Sequence, residues 1–495
     1  MKKKHYVAID VGGTSVKMIL ASFDKKSVKI EDEFSFQNPS VRACGNLYIN
    51  LLEIFQSIKT GLSKFTNQGA TVSTIGIDTF GNGYGILDKN GKLIGIPFHY
   101  RNPLDPEIAE KMEEIMPQKE IYKLTGVHLM KSNVLVQLYN EVLLDSPAIR
   151  EGQHYLPFPG VLYYLLTDTQ QIEQTIASVS NLLSEGAQAW NETIIEKFGL
   201  PHRLFGEIVP GGSVMAPLTH EVQVETGCTE ANVVNIAGHD TETALVAAPK
   251  MDERTMFVSI GTAIIFGTQT DAPVINENSY SYHFKNSYGA LGRNTLCKDI
   301  SGFWILNQCL TQWQKKQRDL DYADLTMLAA NSKENRTYIN VNDPIFRTLP
   351  DNMLDCIRSH CERTGQPVPS SIGEVTRMML ESYTMQIMYS RKCLEEITGR
   401  TDYDEIVVLN GGVRNPLLMQ MIADATGCRV TTGSEYASVL GNVLLQLHAV
   451  GAAESLDELR EIARNSSFVK HYEPNKTEKW NEALAFMKTN GLFEC

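Results

Sequence analysis

The stretch that decides the fold is Tyr6-Val-Ala-Ile-Asp-Val11, followed by Gly12-Gly-Thr-Ser15 and Val16-Lys-Met-Ile-Leu-Ala-Ser22. The first run is short and apolar and predicts a buried strand. Gly-Gly predicts the turn, and the third run a second strand with no helix signal between. The grammar returns in Thr255-Met-Phe-Val-Ser-Ile260, Gly261-Thr262 and Ala263-Ile-Ile-Phe-Gly267. Two hairpins with Gly-Thr tips suggest two related domains, each opening with its own hairpin. On this observation alone, chance recurrence of two hairpins is the competing explanation.

Outward from the hairpins, strands alternate with helices, which gives an α/β class. An amphipathic helix is expected around Leu47–Phe65 and a strand over Val72–Asp78. A strand over Val233–Ala237 enters Gly238-His-Asp240, and a short helix over Thr241–Ala248 stops before Pro249. The domain boundary is placed there, giving domains 1–248 and 249–495. In the second half, Val375, Met378, Met379, Met385 and Met388 mark a helix over Glu374–Thr398, ended by Gly399. The strand Glu405–Leu409 then leads into Asn410-Gly-Gly412. No low-complexity linker separates the halves, so a ligand cleft is expected between them.

At 495 residues the chain is too long for one core. Its net charge of -13 argues against general nucleic-acid binding, which needs basic patches. A nucleotide is still accommodated by backbone N–H groups, one lysine and a magnesium ion. No apolar run approaches the ~20 residues of a membrane span. The basic start, Met1-Lys-Lys-Lys-His5, leads into a strand interrupted by Asp10 and not into a signal-peptide core, so a cytoplasmic location is expected. The nine cysteines are dispersed, as reduced thiols are. Cys356, His360 and Cys361 lack the second ligand pair of a zinc site.

Several local patterns carry chemistry. In Asp10-Val-Gly-Gly-Thr-Ser-Val-Lys17, glycines admit phosphate oxygens to the backbone, Thr14 and Ser15 add hydroxyls, and Lys17 adds a cation. Asp10 at a strand end suits magnesium, directly or through water. A plain hairpin turn is the alternative, and the pattern is not a Walker loop. In Gly238-His-Asp-Thr-Glu242, Asp240 is either a helix cap or a base at the carboxyl end of a strand. Gly261-Thr262 suits distal phosphates, and Asn410-Gly-Gly-Val-Arg-Asn415 lets backbone lie against a purine, though tight turns look the same. Asp78-Thr-Phe-Gly-Asn-Gly-Tyr-Gly85 and Pro97-Phe-His-Tyr-Arg101 mix polar and aromatic groups as sugar sites do, and as solvated loops also do.

In this order and spacing, from about Val7 to Gly451, these motifs resemble the FGGY family of carbohydrate kinases. The resemblance implies two ribonuclease-H-like (actin-like ATPase) domains around an interdomain cleft. It implies ATP and magnesium as cofactors and a small sugar as substrate, with no nucleic-acid or membrane partner; it allows a homodimer. Gly12, Gly13, Thr14, Ser15, Lys17, Gly261, Thr262, Asn307, Gly411, Gly412 and Asn415 would bind ATP. Gly81, Asn82, Arg101, His239, Asp240, Thr241 and Asp299 would bind the sugar. Asp240 would accept the proton, and Asp10 with Asp240 would hold magnesium.

Gly76-Ile-Asp-Thr-Phe-Gly81, Pro97-Phe-His-Tyr-Arg-Asn102, Asp424-Ala-Thr-Gly427 and Gly441-Asn442 look like the rhamnulokinase subgroup. The chain departs from that subgroup at four places. Asn82-Gly83 stands for the usual Val-Asp, Asp299 for Asn, Asn307 for Gln, and Ala263 for Trp. The first two fall at expected sugar contacts, so L-fuculose, L-xylulose or another ketose or polyol competes with L-rhamnulose. Repressor-like glucokinases share the first motif but carry a cysteine-rich zinc loop that is missing here. A non-catalytic actin-like protein that binds ATP and sugar is the non-enzymatic alternative.

Overall fold

The computed structural model describes residues 3–186, 188–334, 337–346, 352–475 and 478–493. Met1 and Lys2 of the basic start, and Cys495 of the nine cysteines, lie outside them. The first hairpin forms as expected: β1 (Lys4–Val11) pairs antiparallel with β2 (Ser15–Phe23). Strands β3 (Val28–Gln37), β4 (Thr71–Thr79), β5 (Ser213–Pro217) and β6 (Asn232–Asn235) complete a six-stranded sheet in the order β5-β6-β4-β1-β2-β3. β1, β4 and β6 run parallel, and the others antiparallel to their neighbours.

The second half repeats the plan with β7 (Thr255–Ile260), β8 (Ala263–Thr270), β9 (Lys285–Tyr288), β10 (Asn294–Ser301), β11 (Glu405–Leu409), β12 (Arg429–Thr432) and β13 (His471–Tyr472). Their order is β9-β10-β8-β7-β11-β12-β13. β8, β7, β11 and β12 correspond to β2, β1, β4 and β6, down to the parallel pairing of β7 with β11. The doubled hairpin therefore marks two domains of the same design.

Element ends differ modestly from expectation. Helix α1 (Leu51–Asn67) starts later than read, because Asn46–Tyr48 forms a short strand. Helix α2 (Asp240–Val246) begins one residue earlier. Helix α3 (Ile372–Thr398) opens on a Ser371–Glu374 capping box and closes at Gly399, whose φ of 69° suits glycine. Among the described residues, no helix is long and apolar enough to cross a membrane.

Each domain has its own apolar core, and a third cluster joins them. That cluster takes Ala8 and Ile19 from the first sheet and Phe257 and Val407 from the second. Between them lie α2 of the first domain and helix α4 (Ala437–Ala449) of the second. The two helices approach to backbone contact. A Cβ added at Gly441 would lie 1.8 Å from the Thr243 carbonyl oxygen. Polar groups then lock α4 onto the first sheet. Asn442 Nδ2 donates to Asp78 Oδ2 (2.7 Å) and the Gly76 carbonyl (3.1 Å). Gln446 Nε2 donates to the Val7 carbonyl (2.9 Å), and Thr74 Oγ1 donates to Gln446 Oε1 (2.7 Å). Apart from Asp78 Oδ1 these groups are buried and paired, which is what makes a polar interface specific.

A second bridge runs from α2 to the edge of the second sheet. The buried Glu242 carboxyl accepts from Ser287 Oγ and from Thr295 Oγ1 (2.8 Å). Burial pushes its pKa up to about 7, against the two hydroxyl donors.

Two outcomes follow for stability. Gly441→Val should cost at least ~3 kcal/mol, the upper range of overpacking, because the obstacle is backbone and cannot rotate away; chemical denaturation measures it, and a neutral result would refute the contact. Glu242, raised from 4.5 to about 7 on folding, contributes stability fully present below its unfolded value and lost as pH rises through about 7. Glu242→Gln should flatten that decline in melting temperature between pH 4.5 and 7.5.

Candidate active site

The carboxyl ends of β1, β4 and β6 meet at the mouth of the interdomain cleft, where parallel α/β sheets place ligands. β1 delivers Asp10 and β4 delivers Asp78, its direct partner in the ladder. The chain leaving β6 delivers Asp240. Burial raises Asp10 to about 6, with the Asp240 charge adding to it; Ser438 and Lys17 pull the other way. Asp78 is raised far above its usual range by burial and then by Asp10, against its bond from Asn442. Its other oxygen, Oδ1, is buried without a hydrogen-bond partner. Asp240 is also raised, by burial, against the Thr241 N–H that donates to it (2.6 Å). Asp10 and Asp240 line the cleft, while Asp78 is fully buried beside Asp10 in the ladder.

Asp240 is the first residue of α2 and does not cap it. His239 holds the cap position, without a side-chain cap bond, and neither Asp240 nor Thr241 takes that role. The turn itself is fixed from behind. The Glu173 carboxylate accepts from Gly238 N (2.9 Å), Thr175 N (2.9 Å) and Ile176 N (3.1 Å). Glu173 comes from a distant segment and left no local signal.

The cleft has a volume of about 800 Å³. It is lined by Asp10, the tip residues Gly12, Gly13, Thr14 and Ser15, and Arg101, Asp240 and Thr241 from the first domain. Gly261 and Thr262 line it from the second, so both hairpin tips face one space. The first tip is clamped by Asn38: its N–H donates to the Thr14 carbonyl (2.9 Å) and its Nδ2 to Gly12 O (2.9 Å). Thr14, Ser15, Gly261 and Thr262 are exposed to the cleft.

The other sequence-derived residues are not among those lining the cleft. Lys17 Nζ sits 4.2 Å above the Tyr436 ring. Asn307 lies in the first turn of the helix Trp304–Gln314 and accepts from Tyr322 OH. Gly411 and Gly412 follow cleft-lining Asn410, whose φ of 66° turns the chain sharply. Gly412 packs on Ile260, where a Cβ would come within 2.4 Å, whereas Gly411 faces open space. Asn415 caps the helix Pro416–Thr426 through Leu418 N (3.0 Å). Gly81 touches the His239 ring; a Cβ there would stand 3.1 Å from it. Asn82 O accepts from Gln137 Nε2 (2.9 Å), and Asn82 Oδ1 is buried without a partner. Asp299 pairs with Lys285 (2.6 Å).

Sequence reasoning missed Asp78 as a charge neighbour of Asp10, and missed Asn38, Ser438, Trp304 and Lys285. Asp78 and Asn410 were inside quoted motifs. Ser438 and Lys285 had no signal, because only packing brings them to the site. Among the described residues, no three histidine, cysteine, aspartate or glutamate side chains converge to hold a metal by themselves.

Comparison with known proteins bears on the family and the fold. Residues 5–247 match the N-terminal domain, and residues 256–450 the C-terminal domain, of the FGGY family of carbohydrate kinases. A rhamnulokinase of Bacteroides thetaiotaomicron is 32% identical over 98% of this chain and 99% of its own. A rhamnulokinase of Klebsiella pneumoniae is 30% identical over 96% of each chain. Among solved structures, a xylulose kinase from Rhodospirillum rubrum superposes with a TM-score of 0.80 at 14% identity, covering 98% of each chain. Plasmodium falciparum glycerol kinase with ADP gives 0.77 at 14% identity, over 99% of this chain and 97% of its own. The last two likenesses concern the fold. The chain belongs to the FGGY family of carbohydrate kinases: it is a sugar kinase.

Proposed function

We propose that the protein transfers the γ-phosphoryl group of ATP to a hydroxyl of a small ketose or deoxyketose such as L-rhamnulose, with Asp240 as the base. The observation that carries this is the shared cavity: the Asp240 carboxylate and the two hairpin tips line one space. The names of the similar curated proteins favour L-rhamnulose. Asn82-Gly83 and Asp299, where that subgroup usually differs, favour a neighbouring ketose such as L-fuculose or L-xylulose as the second reading.

In this reading, residues 1–248 hold the sugar and the first phosphate contacts, and residues 249–495 hold the nucleotide. Open space over Gly411, and a single contact at 3.8 Å over Gly261, suit close approach of ATP, and the exposed hydroxyls of Thr14, Ser15 and Thr262 suit its phosphates. The crowded carboxylates fit a divalent cation: Asp10 and Asp240 would hold magnesium directly or through water, and the ion would neutralise phosphate charge. Asp240 orients the sugar hydroxyl and takes its proton as the O–P bond forms. His239, pushed down to about 3 by burial and by Lys285, stays neutral beside it.

Asp240→Asn should lower sugar-dependent ADP release by ~10²–10⁴-fold, the usual worth of a general base, with ATP binding retained. Sustained turnover in that variant would sink the assignment, and ATP hydrolysis that no sugar stimulates would favour the non-catalytic alternative. Below about 6, Asp10 is protonated and loses its attraction for a cation. The apparent magnesium requirement should therefore rise as pH falls from 7.5 to 5.5, measured by activity at graded magnesium.

A further inference from the structure

We infer that Arg101 is the cation that meets the γ-phosphoryl group during transfer, a catalytic residue and not a sugar contact, in the part first expected of Lys17. The inference rests on the kinase reading above and deepens it. Among the described residues that line the cleft, Arg101 is the one lysine or arginine. It is exposed, and among the described residues it pairs with no carboxylate. Lys17 is engaged elsewhere. Its ammonium lies on the Tyr436 ring, whose hydroxyl accepts from Arg414 Nη2 (3.1 Å). Of the residues expected at the sugar, Gly81, Asn82, His239 and Asp299 are not in the lining, whereas Arg101 shares it with the first tip, Gly12 to Ser15.

The loop that carries Arg101 is fixed against that tip. The Tyr100 hydroxyl lies over Gly13, where a Cβ would stand 3.2 Å from it. The Tyr100 ring stacks on His99 (4.2 Å between centroids) and packs against Phe80 (5.4 Å). The Arg101 guanidinium in turn lies 5.4 Å from the Tyr100 centroid. The Arg101 backbone N–H donates to His99 Nδ1 (3.1 Å). Burial, and then the Arg101 charge, push His99 down to about 4, so its ring stays neutral and that nitrogen can accept. His99 N donates to the Leu47 carbonyl (2.9 Å), and Leu47 N to Asn102 Oδ1 (2.6 Å). A charge on so firm a support needs little reorganisation when the transition state forms. In that step the sugar oxygen bonds to the γ-phosphorus and its proton passes to Asp240. The bond from that phosphorus to the β–γ bridging oxygen breaks, and ADP leaves with the electron pair. Asp10 and Asp240 line the same cleft and repel the γ-phosphoryl oxygens. A guanidinium offsets that repulsion, and its planar fork matches two phosphate oxygens.

The test compares wild type, Arg101→Gln and Arg101→Lys in steady-state kinetics and in calorimetry. The calorimetric ligands are magnesium ADP alone, and magnesium ADP with aluminium fluoride, which mimics the planar transferring group. Arg101→Gln should lower kcat by at least ~10²-fold, toward the range an arginine contributes in phosphoryl transfer, with KM for the sugar unchanged. Its affinity for ADP should hold, while its affinity for ADP with aluminium fluoride falls by roughly tenfold or more. Arg101→Lys should recover part of both losses, since it restores charge without the fork. An unchanged kcat would overturn the inference. So would a raised sugar KM with fluoride-complex affinity intact, which would return Arg101 to the sugar, or a gain in turnover of neutral sugars over sugar acids, which would make it a carboxylate reader. Should Arg101→Gln lose ADP affinity as well, Arg101→Lys decides: it must separate the two ligands or the inference fails. If the wild type turns over no sugar, the phosphotransfer reading fails instead, and the contrast between ADP and its fluoride complex still decides whether Arg101 meets a transferring phosphoryl group.

Discussion

The rest of the structure depends on the place where α2 and α4 touch. One helix belongs to each domain, and Gly441 lets the second come down onto the Thr243 carbonyl. No larger side chain fits that gap. Once the helices meet, Asn442 and Gln446 reach strands of the opposite domain and satisfy backbone and side-chain groups there. The interface is thus set by shape and then by polar pairing. Sliding either helix would leave buried amides unpaired, and each such group is expensive.

This contact also builds the site. Asp240 opens α2, three residues before Thr243. Ser438, whose hydroxyl pulls the Asp10 pKa down, sits on α4 three residues before Gly441. The helix crossing therefore controls the relation between the carboxylate at the end of β1 and the carboxylate after β6. Asp78 belongs to the same chain of contacts, held by Asn442 on one side and paired with Asp10 on the other. A change in how the domains meet would be felt at Asp10 through two side chains of α4.

The electrostatics of the cleft follow a simple division. One end gathers Asp10 and Asp240 at the cleft, with Asp78 buried beside Asp10, and burial raises all three. Toward the second sheet Lys285 pairs with Asp299 and feels the Asp240 charge, and burial keeps His239 neutral. Asp240 stands where the two ends meet, lining the cleft with both hairpin tips.

Much of this was legible in the chain itself. A strand, a Gly-Thr tip and a second strand need only local information, so Tyr6–Ser22 and Thr255–Gly267 declared both hairpins, and their recurrence declared the duplication. Asp10 and Asp240 were visible because each stands in its own motif, near or just beyond the end of a strand. The start of α1 was misplaced because Asn46–Tyr48 takes its strand pairing from Val41–Ala43, a contact that helical periodicity does not register. Glu173, Ser438 and Lys285 were invisible for a stronger reason: each acts on a group from a remote segment, and no window of sequence contains both. The sequence by itself determined the fold class, the two-domain design and the motif carboxylates, because strand and turn signals act over neighbouring residues. Only the tertiary structure decided which charges face one another, because that is set by ladder register and by one helix crossing at Gly441.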